Sequence, residues 1–140
     1  MNTPLMFSSF VSLMVLAAAA RSGELTVTVT DIRAAEGTLM VSVVDSDAAW
    51  NNQAKPVAAT KVNAAKGEVT LKFPGLPDGK YAVQVMHDQN DNGKLDSNFL
   101  GIPSEGYGFS QNPGVMRRAT FEEARFALPA EGADIVVRLR

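Results

Sequence analysis

The chain has 140 residues, with 13 Lys and Arg against 15 Asp and Glu, one His, one Trp and no Cys. A formal charge of −2 supplies no basic field for nucleic acid; the missing cysteines exclude disulfides, thiolate metal centres, a cysteine nucleophile and a lipid-modified N-terminal cysteine. A single histidine excludes a multi-histidine centre, and 46% hydrophobic with 20% charged residues suits one globular domain, not a disordered chain.

Met1–Ala20 carries no charged side chain, and its run of apolar and small residues from Leu5 ends in consecutive alanines before charge begins at Arg21. The run is short of the roughly 20 residues that span a bilayer, and its small-residue end fits signal-peptide cleavage. Residues 1–20 therefore read as a signal peptide and 21–140 as the mature domain, exported to the periplasm or beyond and without a transmembrane span. The absence of Lys or Arg ahead of the apolar run departs from the usual export signal, and a buried N-terminal helix is the alternative.

Downstream, the chain alternates with period two. Leu25, Val27 and Val29 alternate with threonines, and Leu39, Val41 and Val43 repeat the pattern after a Glu36-Gly37 turn. A weaker candidate covers 57–62, and Val69, Leu71 and Phe73 form the next. Pro74–Gly79 is dense in turn residues, and Tyr81, Val83 and Val85 follow on one face. Phe121–Leu128, with room for one helical turn, and Ile135, Val137 and Leu139 close the pattern. Approximately seven short strands punctuated by Gly and Pro predict an all-β fold, a single antiparallel β-sandwich of prealbumin- or Ig-like type with one long functional loop.

Two passages carry a resemblance. Gly75-Leu76-Pro77-Asp78-Gly79-Lys80-Tyr81-Ala82-Val83 resembles the turn and strand of prealbumin-like and carboxypeptidase-regulatory-like sandwiches. The run from His87 to Pro113, HDQNDNGKLDSNFLGIPSEGYGFSQNP, together with Phe121–Phe126, resembles the exported bacterial family of domain of unknown function 2141 (DUF2141). The resemblance covers nearly all of the mature chain; it implies a β-sandwich and no established activity.

Asp88-Gln89-Asn90-Asp91-Asn92-Gly93-Lys94-Leu95-Asp96 fits the first half of a calcium loop. Asp88, Asn90 and Asn92 at alternate positions turn oxygens toward a common centre, Gly93 permits the bend, Lys94 offers its backbone carbonyl, and Asp96 binds directly or through water. The bidentate Glu of an EF-hand is missing, since that position is Phe99; Asn98 or Glu105 are the possible substitutes. With few charges the expected Ca2+ affinity is weak, on the order of 10⁻⁴ to 10⁻³ M. The metal-free alternative is a turn in which Asn and Asp side chains bond their own backbone.

His87 falls on the core side of its strand, where a hydrogen-bonded structural role competes with a general base, and no nearby serine has a nucleophile setting. No catalytic residue is therefore assigned. The segment after the polar loop is long and aromatic, as loops with a function or an ordering ligand tend to be. Phe99, Leu100 and Ile102 are expected inward, and Tyr107, Phe109 and Trp50 are the candidates for a surface offered to a protein or glycan; the alternative is that the aromatics pack beneath the loop as a satellite core, with Trp50 plugging one end of the sandwich. Three functions compete: a calcium-stabilised exported binding module of non-catalytic type, a structural or assembly domain without metal, and a hydrolase using His87 with a carboxylate such as Asp96 or Glu105.

Overall fold

Alternating β-branched and apolar residues draw a chain into strands wherever one face can be buried. In the computed structural model, which describes residues 22–140, the strands are β1 (Ser22–Ile32), β2 (Thr38–Val44), β3 (Ala58–Asn63), β4 (Gly67–Pro77), β5 (Gly79–Asp88), β6 (Tyr107–Phe109), β7 (Phe126–Leu128) and β8 (Ala133–Arg138). Two single-turn helices, α1 (Asp47–Trp50) and α2 (Phe121–Ala124), sit between them. The expected export segment 1–20 lies outside the described residues. No helix among those described is long and apolar enough to cross a membrane.

The strands form two sheets. One has the order β4-β1-β8; the other runs β3-β2-β5-β6, with β7 also paired to β5. Leu25, Val27 and Val29 of β1 share one core with Leu39, Val41 and Val43 of β2 and Tyr81, Val83 and Val85 of β5, as the period-two pattern requires. Thus the fold is mostly β, in two layers.

The structure corrects three expectations. There are eight strands among the described residues in place of approximately seven, because β6 is a three-residue strand set among glycines. The pairing is not wholly antiparallel: β1 and β8 run parallel from Leu25 opposite Ala133 to Thr30 opposite Arg138. The turn expected over Pro74–Gly79 is confined to Asp78. β4 continues to Pro77, with an irregularity in register between Gly23 and Leu25 of its partner, and only Asp78 separates β4 from β5 in the other sheet. Gly75, at φ 73°, lets the strand bend there.

β6 and β7 share one edge of β5, at Gln84–Met86 and Gly79–Tyr81 respectively. Ser110 fills the gap between them. Its backbone N–H donates to Val83 O, its Oγ accepts from Val83 N at 2.8 Å, and its hydroxyl donates to Ala124 O at 2.5 Å. This fully buried serine is a substitute for a stretch of strand, which accounts for the backbone groups that the gap would leave bare.

A second apolar cluster lies beside this edge and decides for the packed alternative at Trp50 and Phe109, against the aromatic surface. Trp50 is 1% and Phe109 7% exposed; with Val44, Ala82, Phe121 and Ala124 they form an interior. The Trp50 ring stands 5.4 Å from that of Phe109, its indole N–H donates to Ala119 O at 3.0 Å, and the Arg118 guanidinium covers its face at 5.0 Å. Only Tyr107 of the expected trio is partly exposed, with Arg140 over its ring at 5.7 Å. Burial in an aromatic cluster won because each ring has an apolar partner there and the indole keeps its hydrogen bond.

Candidate functional site

β5 delivers the polar loop. Its pairing with β2 sets Thr38 opposite Asp88 and Leu39 opposite His87, so the β1–β2 turn sits directly against the start of the loop. The contact is close: a Cβ on Gly37, at φ 77°, would stand 2.1 Å from Asp88 O. His87 is 1% exposed, and its Nε2 lies 2.8 Å from Glu36 O, so this nitrogen carries the proton and donates to the turn. Thr38 adds a second tie, its hydroxyl donating to Asp91 Oδ1 at 2.6 Å, which leaves Asp91 outside the loop's centre.

Inside the loop the candidate ligands converge. Both oxygens of Asp88, itself 3% exposed, accept backbone N–H groups, from Asn92 at 3.1 Å and from Gly93 at 2.7 Å. Asn90 Nδ2 donates to Asp96 Oδ2 at 2.5 Å, and Asn92 Nδ2 reaches both oxygens of Asp96 at 2.8 and 2.9 Å. Asn90 Oδ1 accepts from Asn92 N, and Asn92 Oδ1 accepts from Lys94 N. Glu105 returns from the far end of the connection, 7% exposed, to accept the Asp96 N–H on Oε2 at 3.2 Å. Asp88, Asn90, Asn92, Lys94, Asp96 and Glu105 therefore belong to one hydrogen-bonded cluster.

The donors are hard oxygens of the type calcium takes, but the carboxylates alone do not make a cage. Among the described residues no group of three His, Asp or Glu side chains is placed to hold a metal ion. Asparagine oxygens and the Lys94 carbonyl would have to complete the coordination, and the Asn90 and Asn92 oxygens each keep a lone pair beyond the bond to a backbone N–H.

The two amide groups, Asn92 first and then Asn90, hold the Asp96 carboxyl below the usual aspartate range, with Lys94 adding to the effect. A folded value below the unfolded one stabilises the loop fully above the ordinary aspartate value, about 4, and that stabilisation is lost as pH falls through the folded value. Side-chain NMR titration of Asp96 should thus give an apparent pKa below that of an unstructured aspartate, and Asn92→Ala should raise it toward the ordinary value. A normal value in the parent protein would contradict this arrangement.

Asn98 is corrected as a ligand. Its Oδ1 accepts from both Leu100 N and Ile102 N, at 2.9 and 3.1 Å, which commits the oxygen to the turn Ser97–Pro103. That turn points Phe99, Leu100 and Ile102 outward, at 96%, 68% and 57% exposure, where the sequence predicted inward packing. The reason is the tightness of the turn: Asn98 fills its inside, leaving the apolar side chains only the outside.

His87 does not meet the loop's carboxylates in a cleft. The cavity it lines has a volume of about 20 Å3 and is bordered by Asp31, Arg33, Gln89, Ser104 and Arg140, with neither Asp96 nor Glu105. That volume suits a water molecule or two. Sequence reasoning missed Thr38, Glu36 and Gly37, which brace the site from the start of β2 and the turn before it; only the register of β2 on β5 brings them there.

This geometry lies inside one family match. A family model described as an uncharacterized protein conserved in bacteria (DUF2141) matches residues 27–136, from β1 to β8 and through the whole polar loop. The chain belongs to the DUF2141 family. No curated protein and no solved structure matches it. For this DUF2141 chain the loop geometry itself must therefore carry the functional reading.

Proposed function

We propose that the chain is an exported, non-catalytic β-sandwich module of prealbumin- or Ig-like type, stabilised by weakly bound Ca2+ and acting in envelope-associated or extracellular binding of a protein or glycan. The observation that carries the calcium reading is the convergence of Asp88, Asn90, Asn92, Asp96 and Glu105 on one loop, with both Asp88 oxygens oriented by backbone N–H groups. The face offered to a partner is the apolar tip of Phe99, Leu100 and Ile102, with half-buried Tyr107 further along the chain. Trp50 and Phe109 take no part.

Calcium titration tests the metal. At tenfold over the dissociation constant, linkage adds about 1.4 kcal/mol, which raises Tm by roughly 4–6 °C for a domain of this size. Mg2+ should do much less, because it demands near-octahedral geometry, and Asp88→Ala should remove the shift. Identical melting in calcium and in chelator would return the loop to a metal-free turn. One observation favours that second reading: the Asn90 and Asn92 amides already satisfy the Asp96 carboxylate.

The tip makes a separate prediction. Phe99→Ser with Leu100→Ser should leave stability within about 0.5 kcal/mol, as expected for exposed side chains, while lowering binding of a hydrophobic dye such as ANS. A loss of stability above about 2 kcal/mol would show that these side chains are packed after all. The hydrolase reading has little support, since the cavity beside His87 is water-sized and lacks the loop's carboxylates.

A further inference from the structure

We infer that Asn92 is a deamidation site whose reactivity the folded loop holds in check. Asn92-Gly93 is the only Asn-Gly pair in the sequence, and glycine offers the least hindrance to attack by its own backbone nitrogen on the preceding side chain. In that reaction the Gly93 nitrogen gives up its proton to solvent base and bonds to Cγ of Asn92. The Cγ–Nδ2 bond then breaks, ammonia leaves and a succinimide closes. Water opens either carbonyl of the ring, giving aspartate or isoaspartate, so one water is consumed for each ammonia released and nothing is oxidised or reduced.

Sterically the site is open, since Asn92 is exposed and a Cβ at Gly93 would meet nothing within 4 Å. Electrostatics and hydrogen bonds oppose the reaction instead. The attacking nitrogen's own proton is donated to Asp88 Oδ2 at 2.7 Å, and that carboxylate disfavours the anionic nitrogen the attack requires. Asn92 Nδ2 is tied to both oxygens of Asp96 at 2.8 and 2.9 Å, and Oδ1 to Lys94 N at 3.1 Å, so the side-chain amide is fixed as well. Reaction therefore waits on local opening of the loop.

The products would not restore what they replace. Aspartate at this position loses both N–H donors to Asp96 and adds a carboxylate beside Asp88 and Asp96, whereas isoaspartate lengthens the backbone by a methylene between Asn92 and Gly93. Both loosen the loop, and the loss of ammonia to solvent makes the change one-way. None of this depends on calcium.

The test uses the full chain in chelator at mildly alkaline pH, folded and in urea, following the tryptic peptide Tyr81–Lys94 by mass and resolving isoaspartate by chromatography. Folded protein should convert at least about tenfold more slowly than protein in urea, a local opening free energy of about 1.4 kcal/mol or more. Asp88→Ala should move the folded rate toward the urea rate. Asp96→Ala should do the same in a protein whose cooperative melting confirms that it is folded, and Gly93→Ala should slow conversion in urea. Equal rates in folded and unfolded parent protein, no conversion in urea, or an unchanged rate in folded Asp96→Ala would each overturn the inference.

Discussion

Replacement of Trp50 by alanine is expected to lower stability by about 3–5 kcal/mol, the usual cost of removing a large buried aromatic. The side chain joins α1 to β6 through Phe109 and to α2 through Phe121, at 5.4 and 6.5 Å between ring centroids. Its loss opens a cavity and strips Ala119 O of its donor and Arg118 of the ring it covers. Trp50→Phe should recover part of the loss by refilling the volume without the N–H. Urea denaturation measures both. A cost below about 1 kcal/mol for Trp50→Ala would be the behaviour of a surface residue and would restore the sequence-based expectation of an aromatic recognition face.

Gly37→Ala is the second change with a large expected effect, about 3 kcal/mol or more. A left-handed non-glycine residue costs roughly 1–2 kcal/mol, and overpacking adds about 1–3 kcal/mol. The added Cβ would meet Asp88 O at 2.1 Å and the Gln89 Cα at 2.6 Å, both backbone atoms without freedom to swing aside. Something must shift, and the atoms in the way belong to the start of the polar loop. The substitution should therefore also speed amide exchange at Asn92 and Gly93, whose N–H groups rest on Asp88. A destabilised variant with unchanged exchange at those amides would separate the turn from the loop and contradict the bracing described for Gly37.

Much of the layer structure was legible in the residues. Leu25, Val27 and Val29, and likewise Tyr81, Val83 and Val85, have one buried face because a strand's side chains alternate, and His87 follows that rule to its buried position. The loop's spacing was legible for a similar reason: Asp88, Asn90 and Asn92 do meet through short, local bonds. What escaped was set by distant parts of the chain. Trp50 and Phe109 turn inward because each finds the other across the fold, which no local pattern records. Asn98 is a spare ligand by sequence position alone, but bonds to its own turn two and four residues on use its oxygen first. β6 hides because Tyr107 and Phe109 flank a glycine that β8 requires: a Cβ on Gly108 would stand 2.5 Å from Arg138 O. Thr38 joined the site through strand register alone.

The parallel pairing of β1 with β8 has a consequence for the order in which the molecule can form. β1 is the middle strand of its sheet, and along Leu25–Thr30 one of its two partners is the last strand described. Contacts between segments so far apart in sequence are slow to close, and none can form before Ala133–Arg138 has been synthesised. Until then β1 has a bare edge of N–H and C=O groups beside the apolar side chains of Leu25, Val27 and Val29. A chain interrupted or clipped ahead of Ala133 keeps that edge permanently, and such an edge is a template for joining another chain. The nascent molecule is thus adhesive along this one edge until β8 arrives to cover it.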